Sequence, residues 1–144
     1  MPLEFETAAR FDWRLKKIAV VGPGIVGMPM AALLAHARIR EGSAEPARVV
    51  VVQRDSPTSG WKVAAINDGR SVIGGVEPGL DEIVRESVAA GVLSATHDYM
   101  DVADADMVLV SVQTDKKGLA PDYRPLFEAL ELLAKALARK PAGN

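Results

Sequence analysis

An α/β fold built on a doubly wound parallel sheet is what the sequence predicts, and three observations predict it. Short apolar runs rich in β-branched residues recur along the chain as KIAVV, RVVVVQ and DMVLVSVQT. Segments of good helix formers or helical periodicity separate them. The runs are unbroken instead of alternating, as strands buried on both faces of a parallel sheet require. At 144 residues, with 49% apolar, 25% charged and 5% aromatic side chains, the chain fits one ordinary globular domain with an aliphatic core.

The elements follow in order. Residues 1–16 show no period and read as an N-terminal arm that Phe11 and Trp13 could pin to the body; residues 17–144 read as the domain. KIAVV is a strand, a glycine-rich turn follows, and MPMAALLAHARIR is a helix. EGSAEPA is a connection before the strand RVVVVQ; PTSG is a loop, and WKVAAIND a short helix closed by Gly69. GRSVIGGVEPG connects to LDEIVRESVAAG, a helix with Leu80, Ile83, Val84 and Val88 on one face and a stop at Gly91. LSAT reads as a brief strand, DYMDVADA as a polar connection or short helical turn, DMVLVSVQT as a strong buried strand and DKKGLAPD as a loop. The last helix, YRPLFEALELLAKALARK, carries Leu126, Leu130, Leu133 and Leu137 at helical spacing and is predicted to be amphipathic with a leucine face, with a cap at Asp122 and an end before Pro141. The sheet is expected to be incomplete at its C-terminal end.

The turn VVGPGIVG supplies Gly22-x-Gly24-x-x-Gly27 between a predicted strand and a predicted helix, the context in which this spacing acquires meaning. Gly22 permits the tight turn, Gly24 lets a pyrophosphate approach the backbone, and Gly27 lets helix and strand pack closely. Ile25 and Val26 lie where the free N–H groups and positive end of the helix dipole would hold phosphate charge. Pro29, within the first turn, forfeits no helical hydrogen bond. The domain is therefore expected to be Rossmann-like and to bind a dinucleotide.

Other functions are disfavoured by composition. A formal charge of −2 with scattered basic residues gives no footprint for nucleic acid. The absence of cysteine removes disulfides, thiolate metal sites and sulfur nucleophiles. No apolar run is long enough for a bilayer, and charges interrupt the N-terminus where a signal peptide would need an apolar stretch, so a cytoplasmic location is expected. His36 and His97 lack the partners of a metal site. Asp98, Asp101, Asp104 and Asp106 lack a calcium-loop spacing and read as solvated surface.

Taken together, KIAVVGPGIVGMPMAALLA, the segment from KVAAINDGRS to EPGLDEIVRESVAAG, and ADMVLVSVQTD resemble the N-terminal domain of the UDP-glucose/GDP-mannose dehydrogenase family, over roughly residues 17–140. VQRDSPTSGWK is most similar to the branch that oxidises nucleotide-linked N-acetylamino sugars. The resemblance implies an NAD-dependent oxidoreductase that converts the C6 alcohol of a nucleotide-diphosphate sugar to a carboxylate in two hydride transfers. In that family a cysteine, assisted by lysine, asparagine and acidic residues, acts from the later part of a longer chain. No catalytic residue is carried over to this sequence, and this chain by itself is expected to be inactive.

The resemblance also implies cofactor contacts at Val112, Gln113 and Thr114, at the end of the strand that in the family commonly closes on Pro-Thr-Pro; Gln113 stands in place of the usual proline. Lys62 aligns with a basic residue near the adenosine ribose and phosphates, and reads equally well as a solvated helix lysine. Glu77 reads as a loop or helix-entry residue. Gln53 occupies the position where an acid usually accepts from the adenosine ribose. It can still accept through its amide oxygen, but it removes the charge that repels a 2′-phosphate, and Arg54 beside it suits a phosphate or an adenine face. NAD is therefore expected, with NADP not excluded. Expected partners are a nucleotide sugar in a full-length enzyme and another copy of the chain, without nucleic acid or membrane. Two other functions stay open: a dinucleotide-sensing regulatory module, and another Rossmann dehydrogenase of the hydroxyacid or phosphogluconate type.

Overall fold

The computed structural model describes residues 14–73 and 78–141, so Phe11, Trp13 and Glu77 lie outside the described residues. The elements run β1 (Lys17–Val21), α1 (Gly27–His36), β2 (Arg48–Val52), α2 (Trp61–Asn67), α3 (Leu80–Ala89), β3 (Leu93–Thr96), a 3-10 turn (Tyr99–Val102), β4 (Met107–Val110), β5 (Asp115–Lys117), β6 (Ala120–Asp122) and α4 (Arg124–Leu137). Four parallel strands pair in the order β3-β2-β1-β4. The brief strand LSAT is thus an edge of the sheet. The segment DKKGLAPD, expected to be a loop, instead folds as the antiparallel ribbon β5–β6. Its strand residues are almost all exposed, so no hydrophobic period announces it.

The unbroken valine and isoleucine runs are buried on both faces, and each face feeds a different core. Ile18, Val20, Val49 and Val51 pack with Met28, Ala31, Ala32 and Ala35 of α1, Ile66 of α2 and Val84 of α3. Ala19, Val21, Val50 and Val52 pack with Val102 and with Ala129, Leu133 and Ala136 of α4. Two helical layers on the two sheet faces are the arrangement a parallel sheet needs to remove both of its apolar faces from water.

α4 seats itself differently from the leucine face expected. Its buried stripe is Ala129, Leu133 and Ala136, while Leu130 and Leu137 are exposed. Alanines let the helix axis approach the sheet, and the leucines are displaced to the flank. Asp122 does serve the start of this helix: Oδ1 accepts from the Arg124 N–H at 3.1 Å and the carboxylate pairs with the Arg124 guanidinium. That pairing lowers the Asp122 carboxyl to about 2.

Polar side chains fasten the sheet edges. Asn67 Nδ2 donates to the Ala95 carbonyl at 3.0 Å and the Ala95 N–H donates to Asn67 Oδ1 at 2.8 Å, so the side-chain amide completes the outer edge of β3. At the opposite end of the strands, the Asp106 carboxylate accepts from the N–H groups of Lys16 and Lys17. Lys17 Nζ donates to Asp104 at 2.6 Å, which holds the Asp104 carboxyl below its usual range.

α3 buries Leu80 and Val84 as its period predicts, and also buries Ser87, whose hydroxyl has no hydrogen-bond partner among the described residues. An unsatisfied buried hydroxyl carries a desolvation cost that a methyl group avoids. Ser87→Ala is expected to stabilise the domain by about 1 kcal/mol. The measurement is the urea midpoint at constant slope; an unchanged or lower midpoint would show that the hydroxyl is satisfied in solution.

Candidate functional site: a cleft over the glycine turn

Because all four strands run the same way and β1 is in register with both neighbours (Val21 opposite Val52 and Val110), their C-terminal ends meet at one edge. The chain leaves β1 for α1 on one side of the sheet, and β4 adds on the other side of β1, so a crevice opens between the departing loops. It is a cleft of about 270 Å³.

The glycine turn forms its floor. The Gly22 N–H donates to the Val52 carbonyl at 3.0 Å, and the Ser111 N–H donates to the Val21 carbonyl at 2.8 Å, so both neighbouring strands grip the turn. Gly22 adopts φ +98° and lies so close to Ser111 that a Cβ on it would be 2.3 Å from the Ser111 oxygen. Gly27 lies behind the turn, where a Cβ would meet the Gly22 oxygen at 1.9 Å. Gly24 is different: a Cβ there would meet nothing within 4 Å, yet the residue lines the cleft. Two of the glycines are therefore required by the protein itself, and the third leaves room for something else.

The Met28 N–H donates to the Gly24 carbonyl at 3.0 Å, the first helical bond of α1, which leaves the N–H groups of Ile25, Val26 and Gly27 ahead of the helical ladder. The Ile25 and Val26 side chains are exposed and do not line the cleft, so any contribution they make is through the main chain.

At the end of β2 the Gln53 amide is oriented by its neighbours: Nε2 donates to Ser59 Oγ at 3.0 Å and to the Arg54 carbonyl at 3.2 Å. With both amide hydrogens used, Oε1 remains as the acceptor. Arg54 reaches across the cleft to pair with Glu128 of α4. Lys62, in the first turn of α2, also lines the cleft, as do Val112 and Gln113 beyond β4. Thr114 falls outside that lining and is exposed. Of the residues singled out from sequence, the cleft gathers Gly22, Gly24, Gln53, Arg54, Lys62, Val112 and Gln113; it does not gather Ile25, Val26, Gly27 or Thr114.

Thr58, Ser59, Tyr99 and Glu128 are among the lining residues that carried no sequence signal of their own. Burial pushes the Tyr99 phenol up, and the nearby Arg54 charge opposes that shift. Glu128 was findable had the alanine stripe of α4 been read as its core face, because Glu128 and Leu132 then fall on the flank facing the cleft. Among the described residues no group of three or more His, Cys, Asp or Glu side chains could hold a metal ion, and no helix is long and apolar enough to cross a membrane.

The family model for the UDP-glucose/GDP-mannose dehydrogenase family, NAD binding domain, matches residues 16–142. The chain belongs to this family. It is 35% identical over 127 residues to the NDP-N-acetyl-D-galactosaminuronic acid dehydrogenase of Ralstonia nicotianae, covering 88% of this chain and 25% of that protein. The UDP-N-acetyl-D-mannosamine dehydrogenase of Campylobacter jejuni is 32% identical over 126 residues, covering 88% of this chain and 26% of the relative. The crystal structure of NDP-N-acetyl-D-galactosaminuronic acid dehydrogenase from Methanosarcina mazei superposes with a TM-score of 0.74 at 35% identity, over 85% of this chain and 25% of that one.

The chain thus spans about a quarter of the length of these relatives, the quarter that is the family's NAD-binding domain. The matched span takes in both the glycine turn and the EPGL segment. The cleft also fits an adenine dinucleotide on its own terms. The space a Cβ at Gly24 would fill is open, and a free amide acceptor stands at the end of β2.

Proposed function

We propose that this chain is the cofactor-binding part of a nucleotide-sugar 6-dehydrogenase, an NAD-dependent oxidoreductase that converts the C6 alcohol of a nucleotide-diphosphate sugar to a carboxylate. The observation that carries the reading is the open space over Gly24, within a cleft whose other glycines are closed against the protein's own backbone. NAD bound there would supply the hydride acceptor. In this reading Gly22, Gly24 and the N–H groups of Ile25, Val26 and Gly27 hold the pyrophosphate at the start of α1. Gln53 accepts from the adenosine ribose, Lys62 sits near the phosphates, and Val112 and Gln113 border the nicotinamide side. The N-acetylamino-sugar branch is supported by the names of the Ralstonia, Campylobacter and Methanosarcina relatives.

The chain contains no cysteine, so none of its residues can hold a sugar intermediate through sulfur. We therefore expect binding without turnover. Calorimetric titration of NAD into the 144-residue chain should give saturable binding, and no heat at millimolar NAD would overturn the cofactor reading. Adding UDP- or GDP-linked sugars with NAD should leave the absorbance of NADH at background. Sugar-dependent NADH production would show that the chain is catalytically complete.

A further inference from the structure

The loop that follows β2 carries more anion-binding chemistry than a bare ribose uses. Gln53 is neutral where an acid would repel a 2′-phosphate, and its Nε2 is drawn to Ser59 Oγ. Thr58, Ser59 and Lys62 line the same cleft as Arg54. Ser56 Oγ lies 2.6 Å from Ser59 Oγ, so the hydroxyls form a connected set that can turn donors toward an incoming oxyanion. Arg54 lines both the cleft and an adjoining hollow, whose other basic residues are His97, Lys135 and Arg139.

Resting on the dinucleotide reading above, we propose that this end of the cleft is a phosphate pocket. It takes the 2′-phosphate of NADP at least as well as the free 2′-hydroxyl of NAD. Arg54 is the principal cation, and Thr58 and Ser59 supply neutral donors. A guanidinium presents several N–H groups in one plane and can hold two phosphate oxygens at once.

Three carboxylates oppose this: Glu128 on α4 and Asp115 of β5 in the cleft, and Asp98 in the hollow. Asp98 already accepts from the Met100 N–H at 2.8 Å. Glu128 is the strongest opponent because it holds Arg54 directly, but both side chains of that pair are about half exposed, at 54% and 53%. An ion pair so open to water contributes little, so Arg54 can exchange the carboxylate for a doubly charged phosphate. Glu128 then acts as the residue that sets cofactor preference, by competing for Arg54 and by its own repulsion of the phosphate.

The test is the ratio of the dissociation constants for NAD and NADP, measured by calorimetry at one fixed low ionic strength on three proteins. The unaltered chain should bind NADP as tightly as NAD or more tightly. Arg54→Leu should shift the ratio toward NAD by about tenfold, and Glu128→Gln should shift it toward NADP by several-fold. A preference of the unaltered chain for NAD of more than about tenfold would overturn the proposal, as would an Arg54→Leu change that weakens both cofactors equally. If NAD binds and NADP does not, the phosphate pocket alone fails. If neither binds, the dinucleotide reading fails and the pocket with it.

Discussion

Replacing Gly27 with alanine is expected to destabilise the domain by about 3 kcal/mol or more, enough to leave much of the protein unfolded at ordinary temperatures. The added Cβ would lie 1.9 Å from the Gly22 carbonyl oxygen and 3.3 Å from the Ser111 Cβ. Overpacking is often relieved by small shifts of flexible side chains, but this obstacle is backbone. The backbone is also held from two directions, since the Gly22 N–H is bonded to Val52 and Val21 accepts from Ser111. Moving Gly22 away would break the register of β1 with both of its neighbours. Moving α1 away would open the layer formed by Met28, Ala31, Ala32 and Ala35, all fully buried. Either route loses several contacts at once, which places the substitution in the severe tail of single-residue effects. Chemical denaturation followed by circular dichroism reads the result, and a midpoint within error of the unaltered chain would show that the turn relaxes without cost.

The contrast between what could and could not be read from the sequence follows from where each constraint originates. β2 was legible because a strand buried on both faces needs an unbroken apolar run, and Val49 to Val52 supply one. The glycine turn was legible because its demands are local: a positive φ at Gly22 and a close helix–strand approach at Gly27 fall on the chain at fixed spacing. The β5–β6 ribbon was not legible. Its strands are held by pairing with each other and bury almost nothing, so they leave no hydrophobic pattern, and Pro121 and Gly118 read as breakers. The buried face of α4 was misread because leucine is the stronger hydrophobic signal, whereas close seating on the sheet selects alanine at two of its three buried positions. That error hid Glu128. Tyr99 was hidden for a different reason: it enters the cleft because its 3-10 turn packs beside α4 near the end of β2, a tertiary relation with no local mark.

Gly24→Ala is expected to leave stability within about 0.5 kcal/mol of the unaltered chain while weakening dinucleotide binding on the order of a hundredfold, roughly 2.7 kcal/mol. The two effects separate because of geometry. Gly24 has no positive φ to forfeit, and its Cβ would have no atom of the protein within 4 Å, so the folded chain accommodates alanine without strain. Restricting the unfolded chain even adds a few tenths of a kcal/mol in favour of the fold. In the function proposed above, however, the open volume over Gly24 is where the pyrophosphate comes down to meet the N–H groups at the start of α1. A methyl group there holds the phosphate oxygens away from those donors, and charge-assisted hydrogen bonds weaken steeply once their length and angle are spoiled. The decisive measurement pairs a denaturation curve with an NAD titration on the same sample. Lost binding with an intact fold places the pyrophosphate over Gly24, whereas equal binding by the two proteins would move the cofactor elsewhere in the cleft.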